Sequence, residues 1–263
     1  MSQSLILTGE RTVPGIAREN YWFRRHEVAY EWCVDQLSPQ LSDGSIVVDA
    51  GCGEGYGLPL LADVATTVIG LELEAPAAIH AGTRYQDCAQ VIRANLDRIP
   101  VATGNADALV SMQVIEHLWD LRGFLSEVRR VLGPGATTVL ATPNRLTFSP
   151  GLARGEKPTN PFHVEEFDAD QLRELVTAAG LTNVQLFGVH HAGTVAAWER
   201  EHGSIVSAQI AAVQAGDETP WPTELESVVS QVTTDDFVIS DDPTTIDQAG
   251  DLIVLAQCPE SRS

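Results

Sequence analysis

The stretch Ile46-Val47-Val48-Asp49-Ala50-Gly51-Cys52-Gly53-Glu54-Gly55-Tyr56-Gly57 decides the fold. Ile46 to Val48 is apolar and β-branched, as a short buried strand requires. An acid follows, then glycines at alternate positions. Glycine lets a main chain turn sharply and approach a ligand closely. Leu58 to Ala62 then begins a helix. Strand, glycine turn and helix in that order form the nucleotide-binding arrangement of a doubly wound α/β sheet.

Two ligand types compete for this loop. The dinucleotide fingerprint Gly-x-Gly-x-x-Gly brings a pyrophosphate to the helix start. Counted from Gly51 its third glycine falls on Tyr56, and counted from Gly53 on Leu58, so neither register fits. The loop runs Asp-x-Gly-x-Gly-x-Gly over Asp49, Gly51, Gly53 and Gly55, with the acid ahead of the first glycine. That pattern suits a ligand with a cationic amino-acid end and no phosphate. The stretch resembles motif I of the class I S-adenosylmethionine (SAM) methyltransferases.

Bulk properties narrow the partners. The length suits a single domain, 1–263, with an insertion. The formal charge of −20 repels a phosphate backbone, so nucleic acid and anionic lipid are excluded and a neutral acceptor is favoured. No run is long or apolar enough to cross a membrane, and Met1 to Gly9 lacks a signal peptide's basic and apolar parts. Cys33, Cys52, Cys88 and Cys258 are scattered without metal spacing, which points to a reduced cytoplasmic location. Lys157 is the sole lysine, so basic chemistry falls to arginine and histidine.

Ahead of the loop, Glu19 to Leu37 is predicted as a helix with Trp22, Val28, Ala29, Trp32 and Val34 as its apolar face. Its start is dense in aromatics and cations: Tyr21, Trp22, Phe23, Arg24, Arg25 and His26. Two readings stand for residues 1–40. One is a helix packed on the sheet with its arginines in solvent. The other is a lid over SAM in which Tyr21, Arg25 and a protonated His26 reach the cofactor and a guanidinium grips its carboxylate.

Beyond the loop, Thr67 to Glu72 is a second buried strand, and its closing acid lies about twenty residues past the first glycine, where a carboxylate bonds the ribose hydroxyls. Ala75 to Ala81 is helical. Further strands are expected at Ala89–Ala94, Ala106–Met112, Thr137–Ala141 and Asn183–Val189, and a last one at Asp251–Gln257. Leu121 to Leu132 is expected to be a helix closed by Gly133-Pro134-Gly135, and Asp168 to cap a helix running to Ala179. Residues 190–250 form an insertion before the last strand, with helices at Val195–Gln214 and Thr223–Val232 and a short strand at Asp236–Ser240. We expect it to cap the acceptor site.

Residues 46–189 and the final strand carry the class I resemblance. It implies a Rossmann-like sheet of order 3-2-1-4-5-7-6 with strand 7 antiparallel, SAM as cofactor and S-adenosylhomocysteine (SAH) as product. It further implies adenine contacts at Asn95 and Leu96, with Asp97 as the rival polar group, and a cofactor contact at Gln113 below the sulfonium. A narrower resemblance rests on Gly9-Glu10-Arg11-Thr12, Glu19 to Tyr30 and Thr142-Pro143-Asn144-Arg145. These segments are similar to sugar O-methyltransferases of polysaccharide pathways, including those that methylate the 1-hydroxyl of methylmannose polysaccharide precursors. It implies a carbohydrate acceptor, met by Asn144 and Arg145. A phenol- or quinone-type acceptor and a catalytically silent SAM-fold activator are the alternatives, and a homodimer is left open.

Methyl transfer to a hydroxyl needs an acceptor held opposite the sulfur and a group to take its proton. Ligands of open α/β sheets sit beyond the carboxyl ends of the strands. His117, His163, His190 and His191 fall on that edge; His80 and His202 do not. His117 is expected to be the base, with His163 as second choice, Glu116 to orient a ring, and His190 and His191 to meet the acceptor. Quinone-pathway relatives of this class carry Glu-x-x-Glu-His at this point and bind magnesium. Gln113-Val114-Ile115-Glu116-His117 replaces one acid by an amide, so Mg2+ remains an open cofactor.

Overall fold

The computed structural model describes residues 12–216 and 219–260. Gly9-Glu10-Arg11 therefore lies outside the described residues. The strands are β1 (Ile46–Ala50), β2 (Thr67–Glu72), β3 (Gln90–Arg93), β4 (Ala106–Met112), β5 (Leu132–Pro143), β6 (Thr182–His191), β7 (Phe237–Ser240) and β8 (Asp251–Gln257). They form one sheet in the order β3-β2-β1-β4-β5-β8-β6-β7. The first five are parallel, and β8 runs antiparallel between β5 and β6. The expected order and the reversed last strand are both present. The insertion adds β7, an edge strand antiparallel to β6.

The helices are α1 (Asn20–Leu37), α2 (Leu58–Ala62), α3 (Ala75–Arg84), α4 (Leu121–Val131), α5 (Arg145–Phe148), α6 (Ala169–Ala178), α7 (Gly193–His202), α8 (Ile205–Gln214) and α9 (Thr223–Gln231). Apolar side chains of α1, α2, α8 and α9 form one core with Val47, Val110 and Ile253 of the sheet. Those of α4 and α6 form another with Val48, Leu109 and Val254. Alternate residues of each strand thus feed opposite layers, as the two-residue repeat of a strand covered on both faces demands.

Several expectations need correction. The buried stripe of α1 runs through Tyr21, Arg25, Ala29, Cys33 and Leu37 at four-residue intervals, while Trp22 and Trp32 are only half-buried. Arg25 and His26 therefore point inward, and the reading with the arginines in solvent fails for Arg25, while the Arg24 side chain remains 37% exposed. The single helix expected at Val195–Gln214 is two, α7 and α8. Gly203 between them adopts φ +83°, and Ser204 caps α8 by accepting from the Ser207 amide. Gly133-Pro134-Gly135 closes no helix: α4 ends at Val131 and the chain enters β5 at once. β6 extends through His190 and His191, which pair with Val238 and Phe237 instead of following the strand.

The insertion packs on α1. Asn20 Nδ2 donates to the carbonyls of Val229 and Val232 at 3.1 and 2.8 Å, and Arg18 pairs with Glu226 at 2.9 Å. No helix among the described residues is long and apolar enough to cross a membrane.

Candidate active site

A cavity of about 400 Å³ opens beyond the carboxyl ends of β1, β2 and β4. Of the expected cofactor residues, Gly51, Gly53, Glu72, Asn95, Leu96, Gln113 and His26 line it, and so does His117. Asp49, Gly55, Tyr21 and Arg25 do not.

The first and third glycines of the loop have different jobs. Gly51 sits at φ +88°, and its amide donates to the Leu71 carbonyl at 2.8 Å. A Cβ there would lie 2.4 Å from Val114 Cγ2. Gly55, at φ +84°, faces away from the cavity: its Cβ would meet Ala81 and Tyr85 at 2.8 Å, so this glycine lets the loop close on α3.

Asp49 is buried beneath the loop and accepts a hydrogen bond from the Tyr30 hydroxyl at 3.1 Å. Burial pushes its carboxyl from 3.8 up to about 7, with the Tyr30 bond opposing and the Glu72 charge adding to the rise. The folded state thus holds a proton that the unfolded chain has lost. Stability from this group is complete below pH 3.8 and drains away as pH rises through about 7. Asp49→Asn should flatten that decline. Melting temperatures of the cofactor-free proteins should converge near pH 4 and separate above pH 7 in favour of Asn, since every tenfold difference in proton affinity between folded and unfolded chain is worth about 1.4 kcal/mol. An unchanged pH profile would mean that Asp49 is ionised in its pocket.

Glu72 at the end of β2 ties two loops together. Its Oε2 accepts from the Gly53 amide at 3.1 Å and its Oε1 from the Glu74 amide at 2.8 Å. Glu72→Ala should weaken SAH binding by about 1–3 kcal/mol through lost hydrogen bonds, read by calorimetry. Wild-type affinity in that variant would show that this carboxylate does not face the cofactor. Asn95 and Asp97 are joined, Nδ2 to Oδ2 at 2.9 Å and the Asp97 amide to Asn95 Oδ1 at 3.2 Å. Asn95 lines the cavity and Asp97 does not.

His117 and His163 come together although 46 positions apart in sequence, with ring centroids 5.0 Å apart and edge to face. His117 Nδ1 lies 3.2 Å from the Phe162 carbonyl. A carbonyl only accepts, so Nδ1 carries the hydrogen, and in the neutral ring Nε2 is the nitrogen with a lone pair. His163 Nδ1 lies 2.7 Å from Glu166 Oε1, which fixes its tautomer the same way, and Asn160 Nδ2 then donates to Nε2 at 3.0 Å. Glu116 is buried, accepts from the Thr142 hydroxyl at 3.0 Å, and places Oε1 3.9 Å from His117 Nε2. Burial raises its carboxyl above the usual range, opposed by the two imidazoles. Glu166 was missed by sequence reasoning, although His163-Val164-Glu165-Glu166 carries the signal of an acid three residues on.

Donor atoms of Glu116, His117 and His163 lie within 4.8 Å of one another. Two imidazoles and one carboxylate fit a first-row transition ion better than magnesium, which prefers oxygen ligands. The hydrogen bond from His163 to Glu166 is the outer-sphere support that metal-binding histidines use.

The remaining expected residues are held within the fold. Asn144 is buried, caps α5 through the Leu146 amide at 3.1 Å and donates to the Ala249 carbonyl at 3.0 Å. Arg145 is buried against Asp168 and the Leu152 carbonyl. His26 bonds Tyr56 at 3.2 Å, and burial followed by the nearby Arg25 charge holds its pKa well below the usual value. It is therefore a neutral wall of the cavity, which removes the protonated grip on a carboxylate. Arg25 pairs with Asp251, Nε to Oδ2 at 2.9 Å, and donates to Gln113 Oε1 at 3.3 Å. His191 bonds Tyr21 and Glu199. His190 is half-buried, and burial followed by the neighbouring His191 lowers its pKa.

The comparisons with known proteins agree with this geometry. Residues 22–186 match the methyltransferase domain family. A probable S-adenosylmethionine-dependent methyltransferase of Mycolicibacterium smegmatis is 42% identical over 98% of this chain and 97% of its own. A ubiquinone biosynthesis O-methyltransferase of Brucella anthropi is 26% identical over 68% of this chain and 76% of its own. A SAM-dependent methyltransferase structure from Thermotoga maritima superposes with a TM-score of 0.58 at 16% identity, covering 90% of this chain and 93% of that one. The chain belongs to the SAM-dependent methyltransferase family and has its Rossmann-like fold. It is a methyltransferase with SAM as methyl donor.

Proposed function

We propose that the protein transfers the methyl group to a carbohydrate hydroxyl, the 1-hydroxyl of a short methylated mannoside, in polysaccharide biosynthesis in the cytoplasm. The observation that carries the O-methyl part is His117. It lines the cofactor cavity, keeps 30% of its side chain exposed and is held by its hydrogen bond to Phe162 in the tautomer with an unprotonated Nε2. An acceptor hydroxyl placed against Nε2 can lose its proton as its oxygen attacks the methyl group. His163 buttresses the ring, and Glu166 holds His163.

Support for a sugar comes from the flanking resemblance, the strongly acidic chain and the cavity mouth. Phe162, 53% exposed, lines the cavity next to His163, and Trp119, 91% exposed, follows the lining residue Leu118 in sequence. Flat aromatic faces of this kind suit the C–H face of a sugar ring. A neutral small acceptor, with no nucleic acid and no membrane, is the partner. Residues 190–250 serve as the cap and residues 1–40 as the lid in this reading. The Brucella relative's name favours a quinol-type acceptor as the second reading, and the same aromatic faces would serve it.

An ion held by Glu116, His117 and His163 is compatible with either acceptor; when bound it supplies Lewis acidity to a nearby hydroxyl. The test is a screen of methylated mannosides against catechols and hydroquinols, read as SAH formed, with and without chelator. Turnover of the mannosides alone supports the proposal, and turnover of quinols alone replaces it. Loss of turnover on chelation would assign Glu116, His117 and His163 to a metal.

A further inference from the structure

A buried polar chain runs from the insertion to the wall of the cofactor cavity. Its outer end is Glu199 on α7, whose Oε2 lies 2.8 Å from His191 Nδ1 at the end of β6. His191 Nε2 lies 2.7 Å from the Tyr21 hydroxyl. A carboxylate accepts, so Nδ1 carries the hydrogen, and in the neutral ring Nε2 then accepts from the Tyr21 hydroxyl. Tyr21 and Arg25 stand one turn apart on the buried side of α1, so the helix itself ties the phenol to the guanidinium. Arg25 is the branch point: Nε pairs with Asp251 at the start of β8, and Nη2 donates to Gln113 Oε1. The Trp22 and Phe148 rings hold the guanidinium at 5.1 and 4.8 Å from their centroids. Glu199 Oε1 also accepts from the Ile205 amide at 3.0 Å, which anchors the outer end to the start of α8.

The inner end explains why such a chain is useful. Gln113 lines the cavity directly after β4 and takes φ +57°, a left-handed conformation that is unfavourable for a residue with a side chain. It stays there only where the surroundings hold it. A buried ion pair such as Arg25–Asp251 is a weak source of stability, because desolvation offsets the attraction. Fixing an orientation is the better account of its placement.

We propose that Glu199, His191, Tyr21 and Asp251 are positioning residues for the transfer. Through Arg25 they set the pose of Gln113 at the cavity wall, so that docking of the insertion and seating of the cofactor are thermodynamically coupled. This rests on the cofactor cavity and on no particular acceptor.

The test is a double-mutant cycle on SAH affinity by calorimetry, which separates coupling from independent damage. Gln113→Asn cuts the inner end with a residue that tolerates the left-handed backbone. Tyr21→Phe and Glu199→Ala cut the outer part, and Glu199→Gln keeps an acceptor for His191. Each cut should raise the SAH dissociation constant by about three- to tenfold. Each double variant with Gln113→Asn should bind no worse than Gln113→Asn alone, and Glu199→Gln, which keeps an acceptor for His191 while losing the Ile205 amide bond, should lose less affinity than Glu199→Ala. Glu199 and Gln113 do not touch, so a merely structural role for the outer residues predicts that the effects multiply. Multiplying effects, or an unchanged dissociation constant in the outer variants, would overturn the proposal. Tyr21→Phe keeps its packed ring, so the cycle can be read even where Glu199→Ala fails to fold. Wild-type protein that binds no SAH would instead refute the cavity assignment beneath it.

Discussion

Gly51→Val should abolish SAM and SAH binding while leaving a folded protein. Two independent effects act at this position. The backbone stands at φ +88°, which a β-branched residue avoids, so the loop must rearrange or store strain. The new side chain also has no room, since its first carbon would fall 2.4 Å from Val114 Cγ2. Val114 follows Gln113 on the cavity wall, so pushing it away deforms the loops of β1 and β4 together. The paired amides of Gly51 and Cys52 on the Leu71 carbonyl, at 2.8 and 2.9 Å, would be lost with the turn. The sheet lies on the other side of these bonds and keeps its own register. Circular dichroism should therefore show native secondary structure, and calorimetry should show no heat of SAH binding. Gly51→Ala is the milder control: it shares the backbone strain and the first-carbon clash but lacks the branch, so a measurable weakened affinity is expected. Wild-type affinity in Gly51→Val would mean that this turn does not approach the cofactor.

The cavity wall was legible because its signals are local. Thr67–Glu72, Ala106–Met112 and Asp251–Gln257 are apolar runs bounded by turn or polar residues, and each strand begins and ends where the sequence places it. Gly51, Gly53, Glu72 and Gln113 stand at or just past strand ends, so knowing the strands locates the residues. Side chains whose role depends on a distant partner were not legible. Arg25 looks like a solvent-facing cation on α1, and only Asp251, which folds back from the far end of the chain, makes its burial tolerable. Asn144 and Arg145 looked free for an acceptor, yet Ala249 and Asp168 engage them inside the fold. The break between α7 and α8 has a local signal that the single-helix reading passed over: after Trp198 no apolar residue follows until Ile205, and Gly203 and Ser204 are a helix stop and an N-cap. His190 and His191 changed meaning because the insertion supplies β7, and pairing with it extends β6 through both.

His117→Ala should lower turnover by about 10²–10⁴-fold with SAH affinity changed by no more than about twofold. The imidazole stands at the cavity mouth, away from the glycine loop and Glu72, so removing it opens space without disturbing the cofactor wall. His117→Gln distinguishes proton transfer from support. A glutamine amide can still donate to the Phe162 carbonyl, which is the bond that fixes the His117 ring at 3.2 Å, but it offers no basic nitrogen. If His117 accepts the proton, glutamine is as poor as alanine; if it only braces the loop, glutamine restores most of the rate. His163→Ala should cost less, because His163 is buried between Asn160 and Glu166 and acts on the acceptor only through the His117 ring. The reverse order, with His163→Ala silent in cofactor binding but worst in turnover, would move the chemistry to the loop that follows β5. Equal losses in both variants, joined to a chelator-sensitive wild type, would assign the pair to a metal site with Glu116 as its carboxylate.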